Sequence, residues 1–170
     1  MSGEVELRDV VDADLDRFFA HQCDAEAAYM LGFRRGDPTD RAMFDAHWKK
    51  IRSEPGNLIL TVLHDGHVAG HACTFHREGN REVGYWIGRE SWGRGVATRV
   101  LERILELDRA RPMNARVAKD NAASIRVLQK CGFRVVGEDR GYSTVRRTDV
   151  EGFVFELSST DHGVHSGQTT

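Results

Sequence analysis

Between Val83 and Leu105 the sequence changes its hydrophobic period once, across a glycine-rich turn, and this switch confines the chain to folds in which a strand feeds directly into a helix. Arg81 to Gly88 carries Val, Tyr, Trp and Ile, which suit a pleated surface. Beyond the turn Val96, Ala97, Val100, Leu101, Ile104 and Leu105 line one helical face, and Arg99, Glu102, Arg103 and Glu106 line the other. A turn of this kind directs the backbone N–H groups from Gly93 to Thr98 outward at a helix N-terminus, where the dipole also favours an anion. A pyrophosphate fits such a place, and the small residues Gly93, Gly95 and Ala97 let it approach the backbone. The plain alternative is a tight turn that only starts a helix. A P-loop is disfavoured because no Gly-Lys-Ser/Thr follows, and the dinucleotide fingerprint requires Gly or Ala where Thr98 stands.

The rest of the chain surrounds this segment with short elements. Glu4 to Val10 reads as a strand, and Asp12 caps a helix that carries Leu15, Phe18 and Phe19. A second helix after Asp37-Pro38 places Met43, Phe44, His47, Trp48 and Ile51 on one stripe, which makes His47 a core or edge residue. Leu58 to Leu63 and Val68 to Phe75 form a hairpin about Asp65-Gly66, and a further turn at Gly79-Asn80 leads into the strand ending near Gly88. The helix after the glycine turn should stop near Arg111, before Pro112. Met113 to Ala118 is the next strand. Asp120 or Asn121 caps a short helix that Gly132 ends, and Phe133 to Val136 and Gly152 to Leu157 are the last strands. This order predicts an α+β domain around a mixed sheet.

A length of 170 residues with 40% hydrophobic and 29% charged residues fits one soluble domain. Lys and Arg total 24 against 26 Asp and Glu, so the chain has no excess of positive charge with which to collect nucleic acid. Cys23, Cys73 and Cys131 are odd in number and far apart, which suits small buried side chains in a reducing compartment. No apolar signal core opens the chain, and no stretch approaches the ~18 apolar residues of a membrane span, so a cytoplasmic protein is expected. From Ser158 to Thr170 the residues have almost nothing to bury; residues 1–157 are expected to be the domain and 158–170 a disordered tail.

Two segments resemble the GNAT superfamily of acetyl-coenzyme A (acetyl-CoA) dependent acetyltransferases. The family's pyrophosphate loop is Gln/Arg-x-x-Gly-x-Gly/Ala before a helix, and Trp92-Gly93-Arg94-Gly95-Val96-Ala97 is similar to it with Trp92 in the first place. That Trp is usual in the Rim-type branch, the ribosomal-protein N-terminal acetyltransferases and their relatives. Asp120-Asn-Ala-Ala-Ser-Ile-Arg-Val-Leu-Gln-Lys-Cys-Gly-Phe133 resembles the family's later helix. The likeness spans residues 4 to 157. It implies a mostly antiparallel sheet of about seven strands with helices on both faces. It also implies a pantetheine arm lying where the strand ending near Gly88 splays from the strand starting near Met113.

What the resemblance implies for catalysis can be weighed against elementary chemistry. An alkylamine of pKa ~10.4 must lose a proton before it attacks a thioester. Glu82 resembles the glutamate at that place in several relatives, which implies a general base acting through water; it also reads as a solvated edge residue. His71 and His76 are the alternative bases. The four histidines His64, His67, His71 and His76 do not read as a metal site, because strand geometry places His71 and His76 on opposite faces. By resemblance a backbone N–H near Trp86, Ile87 or Gly88 holds the oxyanion, and residues Trp92 to Thr98 hold the pyrophosphate. The family's hydroxyl donor to the departing sulfur, a Tyr on the later helix, is replaced here by Leu128, which leaves Ser124 as the donor. Asn121 either bonds the cofactor or caps the helix. By resemblance the acceptor is an amine of a small molecule or of a protein N-terminus, in a pocket built from the first two helices and the loop before the last strand, here Tyr29 to Asp40 and Gly141 to Glu151, where Arg34, Arg35, Arg146 and Arg147 offset Asp37, Asp40 and Asp149. Monomer and homodimer both stay open. A non-catalytic acyl-CoA-binding or sensing module is the competing reading, and the Leu at position 128 is what favours it.

Deleting Ser158 to Thr170 should leave the melting temperature and acetyl-CoA affinity almost unchanged, as followed by calorimetry; a large fall in melting temperature would show that the tail packs.

Overall fold

The computed structural model describes residues 3–32 and 36–159. Its strands are β1 (Val5–Asp9), β2 (Leu58–His64), β3 (His67–Arg77), β4 (Asn80–Ile87), β5 (Met113–Ala118), β6 (Arg134–Ser143) and β7 (Thr148–Leu157). Its helices are α1 (Asp14–Gln22), α2 (Ala25–Leu31), α3 (Arg41–Ser53), α4 (Val96–Leu107) and α5 (Ala122–Lys130), with a 3-10 turn at Arg89–Ser91. The seven strands form one sheet in the order β1-β2-β3-β4-β5-β7-β6. Every neighbouring pair is antiparallel except β4 and β5. The expected α+β architecture is present, and it is the arrangement that the resemblance implied.

Helices cover both faces. On one face α4 buries Val96, Val100, Leu101 and Ile104 against Val62, Ala72, Val83, Met113 and Phe155. Full burial of each large aliphatic side chain contributes on the order of 2 kcal/mol. On the opposite face Phe18 of α1 stacks on Trp48 of α3 at 5.0 Å between centroids, with Phe44 5.9 Å from the same indole. At Gly70 in β3 an added Cβ would stand 1.9 Å from the Trp86 carbonyl oxygen, so only glycine permits the close approach of β3 to the end of β4.

Several boundaries differ from the sequence reading. Helix α2, absent from it, is seven residues capped by Asp24, whose carboxylate accepts from the Glu26 and Ala27 N–H groups. Asp12 does not cap α1; it pairs with Arg52 at 2.8 Å, while Asp14 inside the helix accepts from the Val11 N–H. His47 is exposed rather than at the core, because α3 buries only Phe44 and Trp48. The second hairpin turns about Glu78 and Gly79, both at positive φ, one residue before the expected place. Helix α4 ends at Leu107, earlier than expected, and the Arg111 guanidinium bonds the Leu105 and Asp108 carbonyls in the segment that follows. Strands β6 and β7 are ten residues each, so most of Gly141 to Glu151 is a paired hairpin and not a loop. Of the expected tail only Ser158 and Ser159 fall among the described residues.

Asp14 ties three elements together. Its carboxylate receives Arg8 of β1 at 2.7 and 2.9 Å, the Val11 N–H at 3.0 Å and the Thr61 hydroxyl of β2 at 2.7 Å. Burial by itself would raise the carboxyl, but these bonds outweigh it and lower the pKa to about 2. Since the folded value lies below the unfolded one, the stabilisation is complete above pH ~4 and disappears as pH falls through the folded pKa. Asp14→Asn should therefore cost about 3 kcal/mol at pH 7, with the deficit shrinking as pH approaches 2 in a series of thermal melts.

Candidate active site

β4 and β5 share only the register pairs Arg81↔Met113 and Glu82↔Asn114. Beyond them β4 continues to Ile87 on β3, and β5 continues to Ala118 on β7. The two strands thus part in the middle of the sheet and leave one edge of each without a strand partner. Gly88 donates its N–H to Ala69 of β3 at 2.7 Å. Since N–H groups alternate along a strand, Tyr85 and Ile87 direct theirs away from β3, toward the opening. The Gly88 N–H is thus committed to the sheet, and that of Trp86 shares its direction. Of the three residues expected to supply an oxyanion donor, Ile87 faces the opening.

Trp92 fixes that place. Its indole N–H donates to the Ile87 carbonyl at 2.8 Å, which ties the glycine turn back onto the end of β4. Gly93 and Gly95 follow at φ +74° and +72°, and a Cβ built on either meets no atom within 4 Å. Gly95 is the N-cap of α4, in the left-handed conformation that costs other residues about 1 kcal/mol. Arg94 is exposed, and Val96 turns its side chain into the core at 1% exposure, so it offers only its backbone. The Arg99 N–H bonds the Gly95 carbonyl at 3.3 Å, and the N–H groups ahead of it belong to the first turn, which has no intrahelical acceptors. An open, positively polarised rim therefore sits at the mouth of the β4–β5 opening, with Ala97 and Thr98 half-buried beside it.

Side chains of β4 divide between the two faces. Glu82 points to the α1–α3 side and is 5% exposed, with Arg77 Nε at 3.4 Å and Arg116 Nε at 3.6 Å. Arg116 also pairs with Asp139. Burial pushes the Glu82 carboxyl up, against the pull of the two guanidiniums. Glu82 is thus neither solvated nor at an edge, unlike the plain reading of the sequence. His71 is on the same face, packed by Phe18 and Trp48 with centroids 5.0 and 4.9 Å away. His76 is exposed on the other face, opposite Arg81. Among the described residues no group of three or more His, Cys, Asp or Glu is placed to hold a metal ion.

On the α4–α5 side, Tyr85 reaches across to Ser124 of α5, with 2.7 Å between the hydroxyl oxygens. Tyr85 was missed by the sequence reading; its signal was the alternation Val83, Tyr85, Ile87, which sends all three to the helix-covered face. Leu128 is 1% exposed in the core, so no hydroxyl comes from that place. Asn121 caps α5 by accepting from the Ser124 N–H at 3.2 Å, and its Nδ2 donates to the Met30 carbonyl at 3.4 Å. One carboxamide hydrogen is left for a ligand.

The β6–β7 turn is clasped to this region. Arg146 grips Asp120 at 2.6 and 3.0 Å, donates to the Tyr29 carbonyl at 2.9 Å and lies over the Tyr29 ring at 4.1 Å. A recess of about 290 Å³ opens here, lined in part by Tyr29, Asp120, Arg146 and Asp149. Arg34 and Arg35 lie outside the described residues.

The centre of the sheet thus holds a parted parallel pair with a glycine turn and a helix N-terminus at its mouth. The chain belongs to the acetyltransferase (GNAT) domain family, which matches residues 4–134. It is an acyltransferase, and acetyl-CoA is its acetyl donor. It is similar to the uncharacterised N-acetyltransferase p20 of Bacillus licheniformis, 25% identical over 120 residues, or 66% of this chain and 67% of that one. The fold is shared with RimJ from Mycobacterium smegmatis, solved in complex with CoA-disulfide: TM-score 0.78, 21% identity, 95% of this chain and 85% of that one. It is also shared with the ribosomal-protein-alanine N-acetyltransferase from Brucella melitensis: TM-score 0.70, 23% identity, 90% of this chain and 99% of that one.

Gly95→Glu should abolish acetyl-CoA binding measured by calorimetry, since the new side chain and its charge enter the open space before α4. The melting temperature should fall only by the few degrees that a left-handed non-glycine residue costs. Unchanged affinity would remove the turn from the cofactor site.

Proposed function

We propose that the chain is an N-acetyltransferase that transfers acetyl directly from acetyl-CoA to a primary amine, on a small molecule or a protein N-terminus, with Glu82 as the base. The observation that carries this reading is the juxtaposition of a buried carboxylate with the parting of β4 and β5. Residues Gly93 to Thr98 bind the pyrophosphate through their backbone N–H groups, with Arg94 adding positive charge at the rim. The Ile87 N–H, one peptide before the carbonyl that Trp92 holds, faces the thioester oxygen as negative charge develops there. Asn121 and Ser124 contact the cofactor from the start of α5.

Glu82 acts over water. Tyr85, the nearer of the two residues with an N–H toward the opening, lies three positions along the strand, or ~10 Å in extended geometry. Arg77 and Arg116 hold the carboxylate in place, and burial brings its pKa upward, closer to what a base at neutral pH requires. The packing of His71 between two aromatic rings and the exposure of His76 on the far face favour Glu82 over either. Trp92 and the shared fold of a ribosomal-protein-alanine N-acetyltransferase support a Rim-type enzyme acting on a protein N-terminus. The residues around the recess by Tyr29 and Arg146 border the acceptor, and the three free cysteines favour a cytoplasmic setting. Acetyl-CoA consumption with a panel of small amines and peptides tests the reading; no turnover with any of them favours a non-catalytic acyl-CoA binder.

Glu82→Gln should keep acetyl-CoA affinity and lower kcat by ~10² to 10⁴. Because a base works only when ionised, wild-type turnover should fall as pH drops through a pKa above the usual carboxylate range. The defect of the variant should shrink toward high pH, where more of the amine is already neutral. A raised folded pKa means that ionised Glu82 adds no stability at neutral pH, so the variant should melt within a few degrees of wild type. Turnover within about threefold of wild type at every pH, far less than general-base loss costs, would exclude Glu82.

A further inference from the structure

Resting on the N-acetyltransferase reading, we propose that Tyr85 is a positioning residue that aims the Ser124 hydroxyl at the departing sulfur, a hydroxyl pair in place of the missing tyrosine on α5. A single hydrogen bond of 2.7 Å joins Tyr85 Oη to Ser124 Oγ. Two hydroxyls carry two hydrogens, and one bond between them consumes one. The phenol is the more acidic hydroxyl and donates to Ser124 Oγ, which leaves the Ser124 hydrogen over and restricts the direction in which it can point. Tyr85 stands on β4 beyond the last residue paired with β5, and Ser124 stands in the first turn of α5, so the pair spans the side of the opening that α4 and α5 cover. Leu128, one turn further along α5, is buried in the core and has no hydrogen to give.

The arrangement matches what the sulfur needs. As the amine nitrogen bonds the acetyl carbon, the carbon–sulfur bond breaks and its electron pair goes to sulfur. The amine proton leaves toward Glu82 and water. Ser124, fixed by Tyr85, donates a hydrogen bond to the sulfur while charge collects there, and the thiolate then takes its proton from solvent. Full transfer from the phenol is not required, since a thiol of pKa ~8.5 is the stronger acid than a tyrosine of ~10. Burial raises the Tyr85 phenol further, against the Ser124 bond, so Tyr85 stays neutral through the working range. An unaided serine hydroxyl in a first helical turn rotates freely or turns to a nearby backbone carbonyl, and either loses the aim.

Steady-state kinetics of wild type, Tyr85→Phe, Ser124→Ala and the double variant test this. Tyr85→Phe should lower kcat about 10-fold, the worth of one well-aimed hydrogen bond, with KM for acetyl-CoA within about twofold. Ser124→Ala should lower kcat at least as much, and adding Tyr85→Phe to it should change nothing more, because Tyr85 acts only through Ser124. Ser124→Thr, which keeps the hydroxyl, should restore both the turnover and its dependence on Tyr85. Multiplying effects in the double variant, or wild-type kcat in Tyr85→Phe, would overturn the proposal. If Tyr85→Phe melts early, Ser124→Ala decides alone, and wild-type kcat there overturns it too. A wild-type enzyme that acetylates no amine in the panel removes the N-acetyltransferase reading and this inference together, whereas equal rates for active wild type and Tyr85→Phe remove the inference only.

Discussion

The parallel contact between β4 and β5 is held by two register pairs and then released, and the rest of the molecule is arranged around that release. A continuous sheet would satisfy its backbone groups internally and leave no N–H for a ligand. Here the Gly88 N–H stays with Ala69 while β4 turns its other edge to the gap, and Trp92 secures the strand end through the Ile87 carbonyl. The same turn passes straight into α4, so the helix N-terminus and the gap are adjacent by chain connectivity alone. The large core beneath α4 holds both strands at their divergence, with Val83 from β4 and Met113, Ala115 and Val117 from β5.

The two faces of β4 then receive different chemistry. Toward α1 and α3 the strand presents Glu82, enclosed by Arg77 and Arg116 and linked through Arg116 to Asp139. Toward α4 and α5 it presents Tyr85, bonded to Ser124. Alternation of side chains in a strand separates the carboxylate from the hydroxyl pair by a sheet's thickness while keeping them three residues apart in the chain. Asn121 links the halves: it caps α5 and reaches the Met30 carbonyl at the end of α2.

Local pattern made much of this legible. The period change from Val83 to Leu105, the Asp65-Gly66 turn and the strand Met113 to Ala118 are short-range features whose side chains decide them, and the structure has them at or near the expected residues. Helix α2 escaped because seven residues rich in alanine carry no clear apolar stripe, although Asp24 before them was a capping signal. The β6–β7 hairpin read as a loop because Glu138, Asp139, Arg140 and Glu151 are charged along it. Those strands are held by pairing and by cross-strand contacts such as Arg140 with Asp149, which no local pattern displays.

The chain's sequence alone determined the family, the glycine turn before a helix and the presence of Glu82, Asn121 and Ser124 on the elements where they are found. These follow from residue type and spacing within one or two turns of chain. Only the tertiary structure decided that Glu82 is buried between two arginines, that the Gly88 N–H is spent on the sheet, and that Tyr85 meets Ser124 from 39 positions away. Burial, strand partner and cross-element hydrogen bonds are properties of which segments meet, and long-range packing sets them after local pattern has finished its work.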